Sequence, residues 1–436
     1  MGSLQRDPLG TFSYLARRYG RVARIRFGFW DVLVVSQPDD VKHVLQDRHA
    51  IYTKESLDYR VMKRILGEGL VTSDGALWLR QRRLMQPAFQ RESVAAFAAL
   101  MVERARALLD GWEGAARDGT AIDVYQEMRR LSLDIVTRAL FGVKVQDDAR
   151  TVGESFAILS EALASSLYSP LFLLFLLPGV PTPTNRRARA ALRTLDGIVG
   201  GIIARRRAKT AAAEGDLLAL LLEARDEETN EEMDDRQLRD EVMTVLLAGH
   251  ETTAMALSWT CYLLDRHREI ADGLRAEITG ALGDRDPTVD DLPQLGGLTR
   301  AIEEAIRLYP PAWIITRIAK EEDEIGGYRV RPRTLVTLSP FVTHRSPEVW
   351  PDPERYEPDR FTPERSEGRP RFAYFPFAGG PRQCIGIEFA LTEATLALAM
   401  VLRRYRLELV PGHRVEPQPL ITLRPRGGLP MVPYRV

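Results

Sequence analysis

The sequence predicts a mainly α-helical protein with small β-sheets at both ends, folded as a single large domain over residues 1–436. Three observations carry that prediction. Apolar residues recur at helical spacing through a long centre, 75–310. Short clusters of β-branched residues, punctuated by glycine and proline, lie outside it near 20–36, 312–340 and 405–434. No internal repeat or low-complexity linker divides the 436 residues, a length that one large domain can occupy.

Composition narrows the class. Hydrophobic residues at 45% and charged residues at 28% describe an ordinary soluble globular protein. The 60 basic and 60 acidic residues cancel, which implies no nucleic-acid partner. Two cysteines build no disulfide framework, so a cytoplasmic location is expected. Residues 1–20 are too polar for a signal peptide or membrane anchor, and the apolar run Leu171 to Leu177 is too short to span a bilayer.

Along the chain, Tyr14 to Asp47 reads helix, strand pair, helix. Ile51 to Asp74 lacks a clear period, carries Gly67 and Gly69, and reads mainly as loop. The next helical stretch sets Trp78 and Arg82 four apart, an indole N–H and a guanidinium on one face that together suit a buried carboxylate. Alone, that pair reads as an anchored surface helix. Helical patterns follow over Ser93 to Trp112, Ile122 to Phe141, Thr151 to Ser165 and Asn185 to Thr210. Tyr168 to Thr184, rich in Leu, Phe and Pro, reads equally as a lid over a lipophilic site or as packed core.

Asp234 to about Leu264 is the longest helical pattern, roughly 45 Å at 1.5 Å per residue. Its middle, Leu247-Ala248-Gly249-His250-Glu251-Thr252-Thr253, holds poor helix formers. A Thr252 hydroxyl can bond back to the Ala248 carbonyl, and the weak spot would suit a small molecule such as dioxygen. Glu251 beside Thr252 offers an acid and an alcohol for a proton relay through water.

A further helix ends at Pro310-Pro311 and sets Glu304 and Arg307 on one face. By spacing alone this is an exposed pair, although Arg360 could complete a buried network. Ala312 to Lys320, Ile325 to Val330 and Thr334 to Ser339 are strand-like. Leu420 to Met431 reads as a terminal hairpin.

The most specific stretch runs from Phe377 to Gly386. Gly379, Gly380 and Gly386 permit a tight backbone and close approach to a flat ligand. Cys384 sits where a helix begins, a position that stabilises a thiolate. Arg382, Arg82 and Arg317 could pair with propionates. A lone cysteine is more often a buried thiol, and Cys261 fits that description.

In this order, Trp78 with Arg82, Ala248-Gly-His-Glu-Thr-Thr253, Glu304-Ala-Ile-Arg307, Pro358-Asp-Arg-Phe361 and Phe377 to Gly386 resemble the cytochrome P-450 superfamily over nearly the whole chain. Two positions depart from the usual pattern: Asp359 stands where Glu is frequent, and Ala378 follows Phe377 where the family usually has Gly, Ser, Asn or His. The resemblance implies haem b (iron protoporphyrin IX) as cofactor and Cys384 as its iron ligand. It implies Glu251 and Thr252 as the oxygen-activating pair and Glu304, Arg307 and Arg360 as a structural triad. Trp78, Arg82, Arg317 and Arg382 become propionate partners, and Ala248, Gly249, Phe377, Gly380 and Gly386 further cofactor contacts.

The implied activity is insertion of one oxygen atom of O2 into a lipophilic molecule, such as a fatty acid, a terpenoid or carotenoid, a steroid or a macrolide. No flavin or iron–sulfur domain is fused to the chain, so electrons are expected from a ferredoxin with its reductase or from a flavodoxin-type donor. A monomer without a membrane anchor is expected. Leu66, Leu174, Ala312, Trp313 and Ile314 are the expected pocket walls. Two alternatives are a peroxide-using haem-thiolate peroxygenase or isomerase, against which Glu251-Thr252 argues, and a non-enzymatic haem sensor, for which no output domain is seen.

Overall fold

A computed structural model of the chain describes residues 4, 6–27, 30–142, 149–167, 182–208, 216–223, 225 and 232–436. Its longer helices are α1 (Pro8–Tyr19), α2 (Leu57–Leu66), α3 (Gly75–Met85), α4 (Arg91–Asp110), α5 (Val124–Phe141), α6 (Ala149–Leu167), α7 (Pro183–Ala208), α8 (Asp235–Arg266), α9 (Arg268–Leu282), α10 (Gly296–Leu308) and α11 (Ile387–Arg404). The strands are β1 (Val22–Phe27), β2 (Trp30–Val35), β3 (Tyr52–Thr53), β4 (Ile122–Asp123), β5 (Ile315–Ala319), β6 (Asp323–Ile325), β7 (Tyr328–Val330), β8 (Leu335–Leu338), β9 (Tyr405–Leu409), β10 (Pro417–Pro419), β11 (Leu423–Pro425) and β12 (Pro430–Arg435).

Helix α8 is the axis of the helical part. Asp234 caps its first turn by accepting the Gln237 N–H at 2.7 Å, and the helix continues unbroken through the weak spot to Arg266. It packs on α5, α10 and α11, burying Leu246, Leu257, Ile302 and Leu396 in one core. Burial of that apolar surface holds a helix whose middle has poor local propensity.

Three sequence expectations are corrected here. Residues 57–66, expected as loop, form α2, which buries Ile65 and Leu66 and ends at Gly67 with φ 63°. The glycines that suggested a loop are its stop signal. The tail is no hairpin, because β11 pairs with β10 while β12 pairs with β9 and β4. Residues 325–330 and 334–339 do not pair either. Gly326-Gly327 instead turns β6 back on β7, and β8 joins β2 and β5. The main sheet, ordered β1-β2-β8-β5-β3, thus unites strands from both ends of the chain. Leu174 and the connector 168–181 lie outside the described residues.

Glu393 is one of the buried acids that make stability pH-dependent. Glu393 of α11 is fully buried, and neither of its carboxyl oxygens nor the nearby Ser132 hydroxyl of α5 has a well-formed hydrogen bond. Burial lifts its carboxyl from the ordinary 4.5 to about 8, with Ser132 pulling weakly the other way. The folded protein therefore holds a proton that the unfolded chain releases, and stability falls as pH rises through that window. We expect denaturant midpoints to decline between about pH 5 and pH 8, and Glu393→Gln to flatten the decline. An unchanged slope would assign the proton elsewhere.

Candidate functional site

Helix α3 meets the loop 377–386 that feeds α11, and the middle of α8 carries the other candidate residues. The loop is closed by its own backbone, with the Cys384 N–H donating to the Phe377 carbonyl at 3.0 Å and the Gln383 N–H to that of Gly380 at 3.1 Å. Gly380 has φ 65°, and an added Cβ there would overlap the Leu45 carbonyl oxygen. A Cβ on Gly379 would enter the Phe372 ring. Ala378 holds φ 57° despite its Cβ, a conformation that costs on the order of 1 kcal/mol.

Gly386 stands at the N-cap of α11. Burial raises the Cys384 thiol pKa, against the lowering influence of the Gly386 backbone and the Arg82 charge. Helix-terminal stabilisation of a thiolate, expected from the sequence, is therefore outweighed while the sulfur carries a proton. Yet Cys384 is exposed. A residue deep enough to be desolvated and still accessible opens on an interior cleft.

The middle of α8 shows the same signature. From Leu238 to Leu264, Ala248 is the single exposed residue, with Gly249 and Thr252 half-buried beside it. Small residues there leave a low wall, and the Thr252 hydroxyl donates to the Ala248 carbonyl at 2.8 Å. Glu251 points elsewhere, as neighbours about 100° apart on a helix must. Its carboxylate is buried, paired with Arg129 at 3.0 Å, and accepts the Tyr125 hydroxyl at 3.1 Å and that of Thr422 at 3.4 Å. No hydrogen bond joins Glu251 to Thr252 among the described residues, so the acid and the alcohol are not in direct contact. His250 is buried, its Nδ1 2.6 Å from the Leu246 carbonyl.

Helix α3 docks on the cysteine loop through both residues of its expected face. Arg82 donates to the Gln383 carbonyl at 2.8 Å. The Arg382 guanidinium stacks 3.8 Å from the centre of the Trp78 ring, donates to the Ser73 carbonyl at 3.0 Å and pairs with Asp74. Arg317, on β5, is buried and lies close enough to Lys54 and Arg382 to repel both. Burial and those neighbours push Lys54 well below its ordinary pKa and Arg382 down to about 10. Asp74 is the carboxylate that offsets the charge of Lys54 and Arg382, so a cluster of basic side chains faces one acid. A ligand carrying two carboxylates would relieve that imbalance. The accessible thiol, the low helix wall and the cation cluster together fit haem.

The remaining predicted residues divide. Phe377 is half-buried against the main core. Leu66 is buried in that core, and Ala312 and Ile314 are half-buried. Trp313 is corrected: it is enclosed against Phe12 and donates to the Leu420 carbonyl at 2.9 Å, so it lines no pocket. Glu304, Arg307 and Arg360 are all buried, correcting the exposed pair that spacing alone suggests. Sequence reasoning missed Lys54, Asp74, Tyr125 and Arg129; Asp74 meets Arg382, and Tyr125 and Arg129 meet Glu251, pairings between distant residues that leave no local pattern. A separate surface cleft of about 890 Å³, lined in part by His267, Tyr356, Glu408 and His413, contains none of the predicted site residues.

Comparison with known proteins adds an independent line. The family model described as Cytochrome P450 matches residues 2–430. The chain is 38% identical over 431 residues to cyclooctatin synthase of Streptomyces melanosporofaciens, covering 99% of this chain and 92% of that protein. It is 37% identical over 421 residues to pentalenene oxygenase of Streptomyces avermitilis, covering 96% and 91%. The crystal structure of the cytochrome P450DA heme domain superposes with a TM-score of 0.88 at 29% identity, covering 98% and 93%.

Proposed function

Because the chain belongs to the cytochrome P450 family, we propose that it is a monooxygenase that hydroxylates a terpenoid, holding haem b on Cys384 and drawing electrons from a separate ferredoxin- or flavodoxin-type donor. The observation that carries the reading is the accessible Cys384 beside a cluster of cations. The substrate class rests on the relatives, which are named for cyclooctatin and pentalenene and align over nearly all of this chain. Half-buried Ala312 and Ile314 add apolar surface suited to such a molecule.

When bound, haem supplies the iron chemistry that activates dioxygen, and the balance is one substrate C–H, O2, two electrons and two protons giving an alcohol and water. The chain's own residues do the rest. Trp78, Arg82, Arg317 and Arg382, joined by Lys54, orient the carboxylate edge of the cofactor. Thr252 presents its hydroxyl on the accessible face of α8 and holds a proton there. Glu251, fixed by Arg129 and Tyr125, is a buried acidic reserve behind that face. A proton passed between this carboxylate and Thr252 travels through water or a side-chain rotation, because the two make no direct contact.

Thr252→Ala should keep substrate binding while product formed per O2 consumed falls by about tenfold or more. Simultaneous oxygen-electrode and product measurements check this, and unchanged coupling would remove Thr252 from the reaction. The substrate class is tested by adding cyclic terpenoids, fatty acids and steroids to the haem-loaded protein and recording the spin-state change. Terpenoids should give the largest response; a response confined to fatty acids or steroids would overturn the class.

A further inference from the structure

His344 stands where the main sheet, the Glu304–Arg307 pair and the cysteine loop come together. It follows the short helical turn Pro340–Thr343, which β8 feeds. The Thr343 hydroxyl ties that turn to the Ser36 carbonyl, just past β2, at 3.0 Å. Arg307 donates to the His344 carbonyl at 2.8 Å. The imidazole is fully buried, and its Nε2 accepts the Phe375 N–H at 2.9 Å. Accepting there places the ring proton on Nδ1, which has no hydrogen-bond partner among the described residues. Burial, with the charges of Arg307 and Arg345, holds the ring well below its ordinary pKa of 6.5, so it stays neutral and keeps its acceptor. An apolar side chain would fill the same space without an orphaned nitrogen. What the imidazole adds is an acceptor for Phe375.

From Phe375 the tie reaches the cysteine in two backbone steps. The Phe375 carbonyl accepts the Ala378 N–H at 3.0 Å, closing the turn in which Ala378 holds φ 57°. The Phe377 carbonyl then accepts the Cys384 N–H at 3.0 Å. The approach to this turn is fastened too: the Trp350 indole donates to the Ala373 carbonyl at 3.3 Å and the Tyr374 hydroxyl to the Glu303 carbonyl at 3.0 Å. Among the described residues, His344 is the one side chain bonded to the backbone of residues 374–376.

We propose that His344 is a positioning residue for the cysteine loop, its Nε2 fixing the Phe375 amide so that the turn at Ala378 presents Cys384 to haem iron in one orientation. The proposal rests on the reading that Cys384 carries haem; it does not depend on the substrate being a terpenoid. A left-handed Ala378 persists only where its surroundings over-determine it, and the Phe375 carbonyl that receives its amide is one of those surroundings. Leucine in place of His344 would strand the buried Phe375 N–H, which must move to find a partner. The turn built on the same residue loosens with it. Glutamine is similar in reach and offers an acceptor oxygen, which makes it the conservative control.

The test uses the haem-loaded full chain. Hydrogen exchange is followed at the amides of Phe375, Ala378 and Cys384 in wild type, His344→Leu and His344→Gln. The lifetime of the thiolate band in the reduced, carbon monoxide-bound protein is measured in parallel. We expect His344→Leu to speed exchange at these amides by about tenfold or more and to shorten the band's lifetime several-fold. His344→Gln should stay near wild type in both. Exchange in the β9–β12 pairing should not change, which separates a loosened loop from a loss of global stability. Unchanged exchange at Ala378 and Cys384 in His344→Leu overturns the tie, and faster exchange with an unchanged band lifetime overturns its role at the sulfur. If His344→Leu does not accumulate, the wild type carries the test. Under mild denaturant its Phe375, Ala378 and Cys384 amides should open together, and Phe375 opening apart from the other two overturns the tie. A wild type without the thiolate band refutes the underlying haem reading, while its exchange pattern still decides whether His344 holds the loop.

Discussion

Cys384→Ala is expected to abolish the long-wavelength band that reduced, carbon monoxide-bound thiolate haem shows, together with all oxygenation. The argument is electrostatic and geometric. Cys384 is the accessible one of the two cysteines; Cys261 is enclosed in α8, its thiol pushed up to about 12 by burial. An iron centre is therefore left with one cysteine thiol to bind. Holding iron would require the Cys384 thiol to give up its proton, against the burial that otherwise keeps it. The Gly386 backbone and the Arg82 charge then stabilise the sulfur's negative charge. Cys384 would hold the haem whose oxygen-activating chemistry depends on a thiolate, so activity should fail with the spectrum. Cys384→His is expected to give a histidine-type spectrum, and Cys261→Ser to retain the thiolate band. A thiolate band surviving in Cys384→Ala would end the assignment.

The second large effect is expected from Glu304→Ala. Glu304 accepts Arg307 through both oxygens, at 2.6 and 2.9 Å, and also receives the Glu357 N–H at 2.9 Å. Arg360 approaches the same carboxylate at 3.3 Å. Arg307 spends its other N–H groups on the carbonyls of His344, Pro353 and Arg355, which fixes the path of the chain before the cysteine loop. Removing the carboxylate leaves two buried guanidiniums without it, a loss of about 3–5 kcal/mol. Against a typical total of about 5–15 kcal/mol, that threatens the folded state itself. Denaturant unfolding should show the midpoint falling sharply, with little haem retained. Glu304→Gln should be intermediate, since it keeps one acceptor oxygen and loses the charge. Wild-type stability in Glu304→Ala would show that the arginines find other partners.

Much of the site was legible because its signals are local. Trp78 and Arg82 share a helical face at i, i+4, and that face meets the cysteine loop. The run Ala248 to Thr253 announced a weak, small-residue patch, and Ala248 is the one exposed residue in the core of α8. The directions of side chains were harder. Glu251 and Thr252 are adjacent in sequence, yet the helix turns one to Arg129 and the other to the cleft. Trp313 looked like a pocket wall by composition, and the partner that encloses it, Phe12, lies about 300 residues earlier.

Read alone, the sequence determined the helical centre, the split strands, the glycine-built cysteine loop and the order of the motifs. Each depends on spacing within one turn, one strand or one short loop, where backbone sterics leave few choices. Tertiary structure decided which strands pair, placing β8 parallel to β2 across three hundred residues. It also decided that Glu304 and Arg307 are buried, that Lys54 joins the cations, and that the Phe375 amide donates to the His344 ring. Those outcomes depend on which distant groups lose water together, and desolvation is a property of the packed molecule.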